Sequence, residues 1–215
     1  MQGMDSRIWD FHMRGGNCMK KLMSLCLLML CLFLTGCSEE IPEENNIAVD
    51  KKGVVTYTVV EEFGKEFYDT EELREDIEEE IGNYNRNQGS DALTLKTLEA
   101  EEGTIVMQLE FAEARHYEKY YGDYSNAVLF VGTIEEAGEA GYDLDGEFLS
   151  ADGSLTDITQ LSNPGSLKVL ITNEAISVQV PEDILCVSPS GSVVILEKKK
   201  AVVKEETKQA CIIYK

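Results

Sequence analysis

The chain is poor in the residues that most often carry chemistry. It has two histidines, one tryptophan and four prolines in 215 residues. Of the histidines, His116 alone lies beyond residue 37. Neither a histidine-rich zinc site nor a serine–histidine–acid arrangement can draw on more than that single imidazole. No Gly-x-Ser-x-Gly elbow, His-Glu-x-x-His pair or phosphate-binding loop occurs, and the cysteines show no Cys-x-x-Cys spacing. No cofactor or metal is expected on these grounds. Positive charge is scarce too, with 19 basic against 40 acidic side chains and a formal charge of −21. Arg7, Arg14, Lys20, Lys21, Asp5 and Asp10 all precede Cys37, so the remainder carries about −23 by the same counting. Phosphate backbones repel such a polyanion, and direct nucleic acid binding is not expected.

One long apolar run is present. After Met19-Lys20-Lys21, residues 22–34 contain no charge. As a helix this run spans ~20 Å, short of the roughly 30 Å hydrocarbon core, but it suits the apolar region of a signal peptide. It ends in Leu34-Thr35-Gly36-Cys37. This resembles the lipobox of bacterial prolipoproteins. The resemblance implies diacylglyceryl attachment to the Cys37 thiol and cleavage between Gly36 and Cys37. Acyl chains at Cys37 would hold the protein on the outer face of the cell membrane, at ~0.8 kcal/mol per buried methylene. On this reading residues 1–18 are an upstream extension with Met19 as the true start, and 19–36 is the signal peptide. Residues 37–52, acidic and with little to bury, read as a lipidated, disordered tether.

Residues 53–215 read as one α+β domain, mostly antiparallel sheet, with one longer and two short helices and a strand-rich C-terminal third. Val54–Val60 is β-branched and reads as the first strand. Thr70 is placed to cap a helix to about residue 87, with Leu73, Ile77, Ile81 and Tyr84 on one stripe. A hairpin follows over 93–112, in which Ile105, Met107, Leu109 and Phe111 alternate onto one buried face. A short helix is expected over 113–121 and an apolar strand over 127–131. Thr133-Ile134-Glu135-Glu136 has capping-box spacing. Further strands are predicted at 147–150, 167–172, 175–180, 184–188, 192–197, 200–204 and 210–214.

Four features could carry function, each with a plainer explanation. Tyr117, Tyr120, Tyr121 and Tyr124 share a helix face and form a possible ligand-binding patch, but helical aromatic stripes are more often core. Asp143, Asp145, Glu147, Asp152 and Asp157 suggest calcium, but without the glycine and closing glutamate positions of an EF-hand they read as two Asp-Gly turns. Cys186 and Cys211 lie in apolar strands and read as separate buried thiols. His116 sits in a charged stretch and reads as a surface residue. The segment from Phe130 to Ala137, with Gly141-Tyr142-Asp143 and the ending Ile212-Ile213-Tyr214-Lys215, is similar to uncharacterised small lipoproteins of Gram-positive anaerobes. The resemblance implies no specific activity. The expectation is a non-catalytic envelope module that binds a protein or small molecule. The alternatives are a surface hydrolase using carboxylate pairs and a calcium-dependent binder.

Overall fold

The computed structural model describes residues 44–62, 69–101, 103–189 and 191–215. The predicted extension, the signal peptide with Gly36 and Cys37, and most of the predicted tether lie outside them. From residue 42 onward the chain forms one compact unit. It is α+β, with thirteen strands and three α-helices among the described residues.

A seven-stranded sheet has the order β11-β12-β9-β1-β2-β4-β3 and a six-stranded sheet the order β5-β8-β13-β10-β6-β7. The strands of the first are β1 (Asn46–Val49), β2 (Val55–Glu62), β3 (Leu93–Glu101), β4 (Thr104–Phe111), β9 (Ser177–Gln179), β11 (Val193–Glu197) and β12 (Lys200–Val203). Those of the second are β5 (Leu129–Thr133), β6 (Glu147–Ser150), β7 (Leu155–Asp157), β8 (Lys168–Thr172), β10 (Ile184–Val187) and β13 (Ala210–Tyr214). Every pairing is antiparallel except β1 with β9.

The main core lies between the two sheets. Register places Ile195, Ala201, Val178, Ile47, Tyr57, Leu109 and Leu95 in one row across the larger sheet. Because side chains alternate with period two, the whole row points the same way. It packs in one cluster with Leu129, Leu170, Ile212 and Tyr214 of the smaller sheet. The smaller sheet is buried on its other face as well, where Val169, Ile171, Cys186, Cys211 and Ile213 meet Ala137, Phe148 and Ile158.

The helices follow their local signals. α1 (Thr70–Gln88) starts one residue earlier than its predicted cap: the Asp69 side chain accepts from Glu71 N. Gly89 closes it in the left-handed region at φ 69°, where a side chain would be strained. Ile81 is buried, and Ile77 and Tyr84 pack on the core beside it. α2 (Ala114–Ser125) runs four residues past the predicted end. α3 (Ile134–Glu139) has the capping box in full: Glu136 N donates to Thr133 Oγ1 and Thr133 N to the Glu136 carboxylate.

One boundary is corrected. The predicted tether extends to residue 52, yet Asn46–Val49 is a strand in the middle of the larger sheet. Ile47 is fully buried there. Apolar Ile47 and Val49 alternate inward, and that short alternation outweighs the acidic segment before it.

Candidate functional site: a cleft at the basic end

The tyrosine stripe is brought together as packing rather than as an exposed patch. Tyr117 is buried and its hydroxyl donates to Glu174 Oε1 at 2.8 Å. Its ring stands edge-on to Tyr57 and Phe111, with centroids at 5.3 and 5.4 Å. Tyr121 packs on Tyr117 and Tyr57, and Tyr120 on Tyr84 and Phe111. These edge-to-face and tilted contacts complement the ring quadrupoles. Burial raises the pKa of Tyr117, Tyr121 and Tyr57 alike. The side chain of Tyr124 lies outside the described residues.

His116 is not a surface residue. It is 8% exposed, and Tyr84 Oη lies 3.1 Å from both its Nδ1 and its carbonyl oxygen. The two bonds fit together if the phenol donates to the carbonyl and Nδ1–H donates to the phenol. Desolvation lowers the His116 pKa. The acids of the proposed calcium region serve their own turns. Asp143 accepts from Asp145 N, Asp152 from Ser154 N and Asp157 from Thr159 N. Among the described residues no three metal-ligating side chains converge. Cys186 and Cys211 are buried and free. Cys186 faces Ile213 in the β10–β13 ladder, which sets the cysteines diagonally rather than directly opposite. Direct opposition brings Cβ atoms to ~5 Å, closer than a diagonal, and a disulfide needs ~3.8 Å.

The cavity of interest lies elsewhere. A cleft of about 600 Å³ opens between the first turn of α2 and strand β5, roofed by the β1–β2 turn. This volume is in the range of small-ligand sites. Its walls bring together Lys51, Lys52, Arg115, Lys168 and Lys215. These are five of the about 15 basic residues beyond Cys37. Lys198, Lys199 and Lys200 cluster nearby, with Lys199 3.8 Å from Glu182 on the cleft wall. The strand register explains the gathering. The turn after β1, the loop after β9, the β11–β12 turn and the end of β13 all fall at one end of the sheets. The opposite end holds Glu61, Glu62 and the acidic first half of α1, whose Arg74 reaches the Leu98 carbonyl. The scarce basic residues of an acidic chain are thereby gathered at one end, beside Asp50, Glu113, Glu118, Glu136 and Glu182.

Every acid lining the cleft is already engaged. Asp50 accepts from Lys52 N and Val54 N in its turn. Glu113 pairs with Arg115 at 2.9 Å, and Glu182 with Lys51 at 2.6 Å. Glu136 caps α3, and Glu118 Oε1 accepts from Leu129 N at 3.2 Å. Burial raises the Glu118 pKa, partly offset by that bond. Among the described residues, no carboxylate lies within ion-pair distance of Lys52, Lys168 or Lys215, though Lys168 and Lys215 are near enough to Glu136 and Glu182 to help lower the pKa of those carboxyls. Tyr214 is 2% exposed and lines the cleft, with no partner for its hydroxyl among the described residues. Desolvation pushes its pKa up to about 12, so it remains a neutral donor. The cleft therefore offers three lysines outside any close ion pair and an O–H donor, groups that can meet an anion.

Comparison of the chain with protein-family models, with curated proteins and with solved structures found no match. Among the described residues, no helix is long and apolar enough to cross a membrane.

Proposed function

We propose that the chain is a lipid-anchored, extracytoplasmic binding protein whose domain takes an anionic ligand in the cleft beside β5. The observation that carries the binding half is the imbalance of engagement there: all five lining acids are occupied, while Lys52, Lys168 and Lys215 and the Tyr214 hydroxyl are not. The same imbalance favours binding over hydrolysis, since a general base or nucleophile needs a carboxylate free to move a proton or attack. The anchor half rests on the sequence, where thirteen uncharged residues lead into Leu34-Thr35-Gly36-Cys37.

The binding half is tested by thermal denaturation of the full chain with citrate, pyrophosphate and oligoglutamate. Saturation at a hundredfold over Kd stabilises by about 2.7 kcal/mol, or roughly 5–10 °C in Tm for a domain of this size. The double variant Lys168→Glu/Lys215→Glu should lose most of that shift. Equal shifts in variant and wild type would overturn the cleft. The anchor half is tested in a bacterial host fed labelled palmitate. The wild-type chain should take the label and sediment with membranes, and Cys37→Ala should do neither. A labelled Cys37→Ala chain would refute the anchor.

A further inference from the structure

β5 is one of the two edge strands of the six-stranded sheet, β7 being the other, and it forms one wall of the cleft through Leu129, Phe130, Val131 and Gly132. In an antiparallel strand, backbone N–H groups point alternately toward the paired neighbour and away from it. Leu129 N donates to Glu118 Oε1 and Thr133 N to Glu136 Oε2, so the odd-numbered residues face away from β8. By that alternation the N–H and C=O of Val131 also face outward, into the cleft. On that geometry they take no part in the β5–β8 ladder. Glutamate oxygens thus occupy the two outer positions where the carbonyls of an added strand would sit, about 13–14 Å apart, and the position between them is open. Charged side chains at an edge are commonly a guard against stray pairing. Here, however, the edge opens onto a cavity lined by Lys52, Lys168 and Lys215, none in a close ion pair among the described residues, and by the Tyr214 hydroxyl, which has no hydrogen-bond partner there.

We infer that β5 is a docking edge for an extended acidic peptide, which adds as a strand between α2 and the sheet, bonds Val131 through its backbone and sets its carboxylates against the free lysines. This rests on the anion-binding reading of the cleft and narrows its ligand to a peptide. The main chain supplies sequence-tolerant hydrogen bonds, and the side chains supply the charge selection. Glu118 and Glu136 act as occupants that yield. The half-buried Glu118 is the easier to displace, because burial already disfavours its charge. Gly132 keeps the wall thin. A Cβ there would lie 2.7 Å from the Phe130 ring and 2.9 Å from Glu136 Oε2, so any larger residue would push the capping carboxylate into the edge.

The test titrates the full chain, in detergent, with acetyl-Val-Glu-Val-Glu-Val-Glu-Val-amide by calorimetry. Three comparisons accompany it: the same peptide with lysine for glutamate, the same peptide N-methylated at every residue, and the Val131→Pro variant. Proline removes the outward N–H without breaking a ladder bond to β8, and it is tolerated on edge strands. The acidic peptide should bind and protect the Val131 amide from hydrogen exchange. The lysine and N-methylated peptides should bind at least about tenfold more weakly, as should the acidic peptide to Val131→Pro. The N-methylated peptide leaves the protein untouched, so the result stands even if Val131→Pro fails to fold. Equal binding of the methylated and plain acidic peptides overturns strand addition and leaves the anion-binding reading of the cleft standing. Failure of the acidic peptide to bind, while citrate or pyrophosphate still distinguishes wild type from Lys168→Glu/Lys215→Glu, also overturns the peptide and spares the cleft. Failure of both sets of ligands overturns both readings.

Discussion

A chain shortened to begin at Gly53 should not hold a folded domain, whereas one beginning at Glu44 should melt cooperatively. The difference is β1. It lies between β9 and β2, so the β11-β12-β9 half of the larger sheet is hydrogen-bonded to the β2-β4-β3 half only through it. Ile47 and Val49 are 0% and 5% exposed, and burying two such side chains stabilises by about 3–6 kcal/mol. The strand also forms both a parallel and an antiparallel ladder, each bond adding about 1 kcal/mol net. Whole domains are stable by roughly 5–15 kcal/mol. Losing β1 therefore removes most or all of the margin and opens two new edges. Circular dichroism and a thermal scan of the two shortened chains decide the point. A cooperative transition within a few degrees of the longer chain's would show that β1 is an accessory strand. A milder form, Ile47→Lys, places an unpaired charge at a fully buried position and should be nearly as damaging.

The same strand shows how far the sequence can be read. Long periodic elements were legible: the β3–β4 hairpin, α1 and its stripe, the α3 capping box and all but one of the C-terminal strands fall within a residue or two of their predicted places. Their signals are local, since a strand with one buried face or an amphipathic helix writes its period into its own residues. β1 and β7 escaped because strands of four and three residues are too short to show a period. His116 was misplaced for a related reason. Its charged neighbours describe the exposed side of α2, while its own face turns toward Tyr84. Tyr117, Tyr120 and Tyr121 pack on the core, as their helical spacing suggests. The cleft could not have been found this way. Lys52, Lys168 and Lys215 are separated by scores of residues, and only the register of β1, β9 and β13 brings them to one end. The single local hint was the Lys51-Lys52 pair in an otherwise acidic neighbourhood.

Tyr117→Ala should be the most destabilising single substitution in the aromatic core, by about 3–5 kcal/mol, which is roughly 6–20 °C in Tm. Tyr117 is 1% exposed and touches Tyr57, Phe111 and Tyr121, so its removal leaves a cavity among rings that cannot close on it. Tyr117→Phe keeps the ring and isolates the hydroxyl. It should cost less, about 1–3 kcal/mol, because it strips the donor from the half-buried Glu174 carboxylate. Glu174→Gln tests that cause with the opposite sign. Desolvation raises the Glu174 pKa, and the Tyr117 bond and the nearby Glu206 modify it. A carboxyl whose folded pKa is raised contributes stability that is complete below its unfolded value of ~4.3 and is lost as pH rises through the folded value. Glu174→Gln should therefore raise Tm at pH 7 and leave it unchanged near pH 4. His116, with its lowered pKa, acts in the other direction and loses stability as pH falls below its unfolded value of ~6.5, but it is common to both proteins and cancels in their difference. Thermal scans of wild type, Tyr117→Phe, Glu174→Gln and the double variant Tyr117→Phe/Glu174→Gln at both pH values complete the cycle. If Tyr117→Phe costs as much in the glutamine background as in the wild type at pH 7, the hydroxyl matters for reasons other than solvating a buried charge.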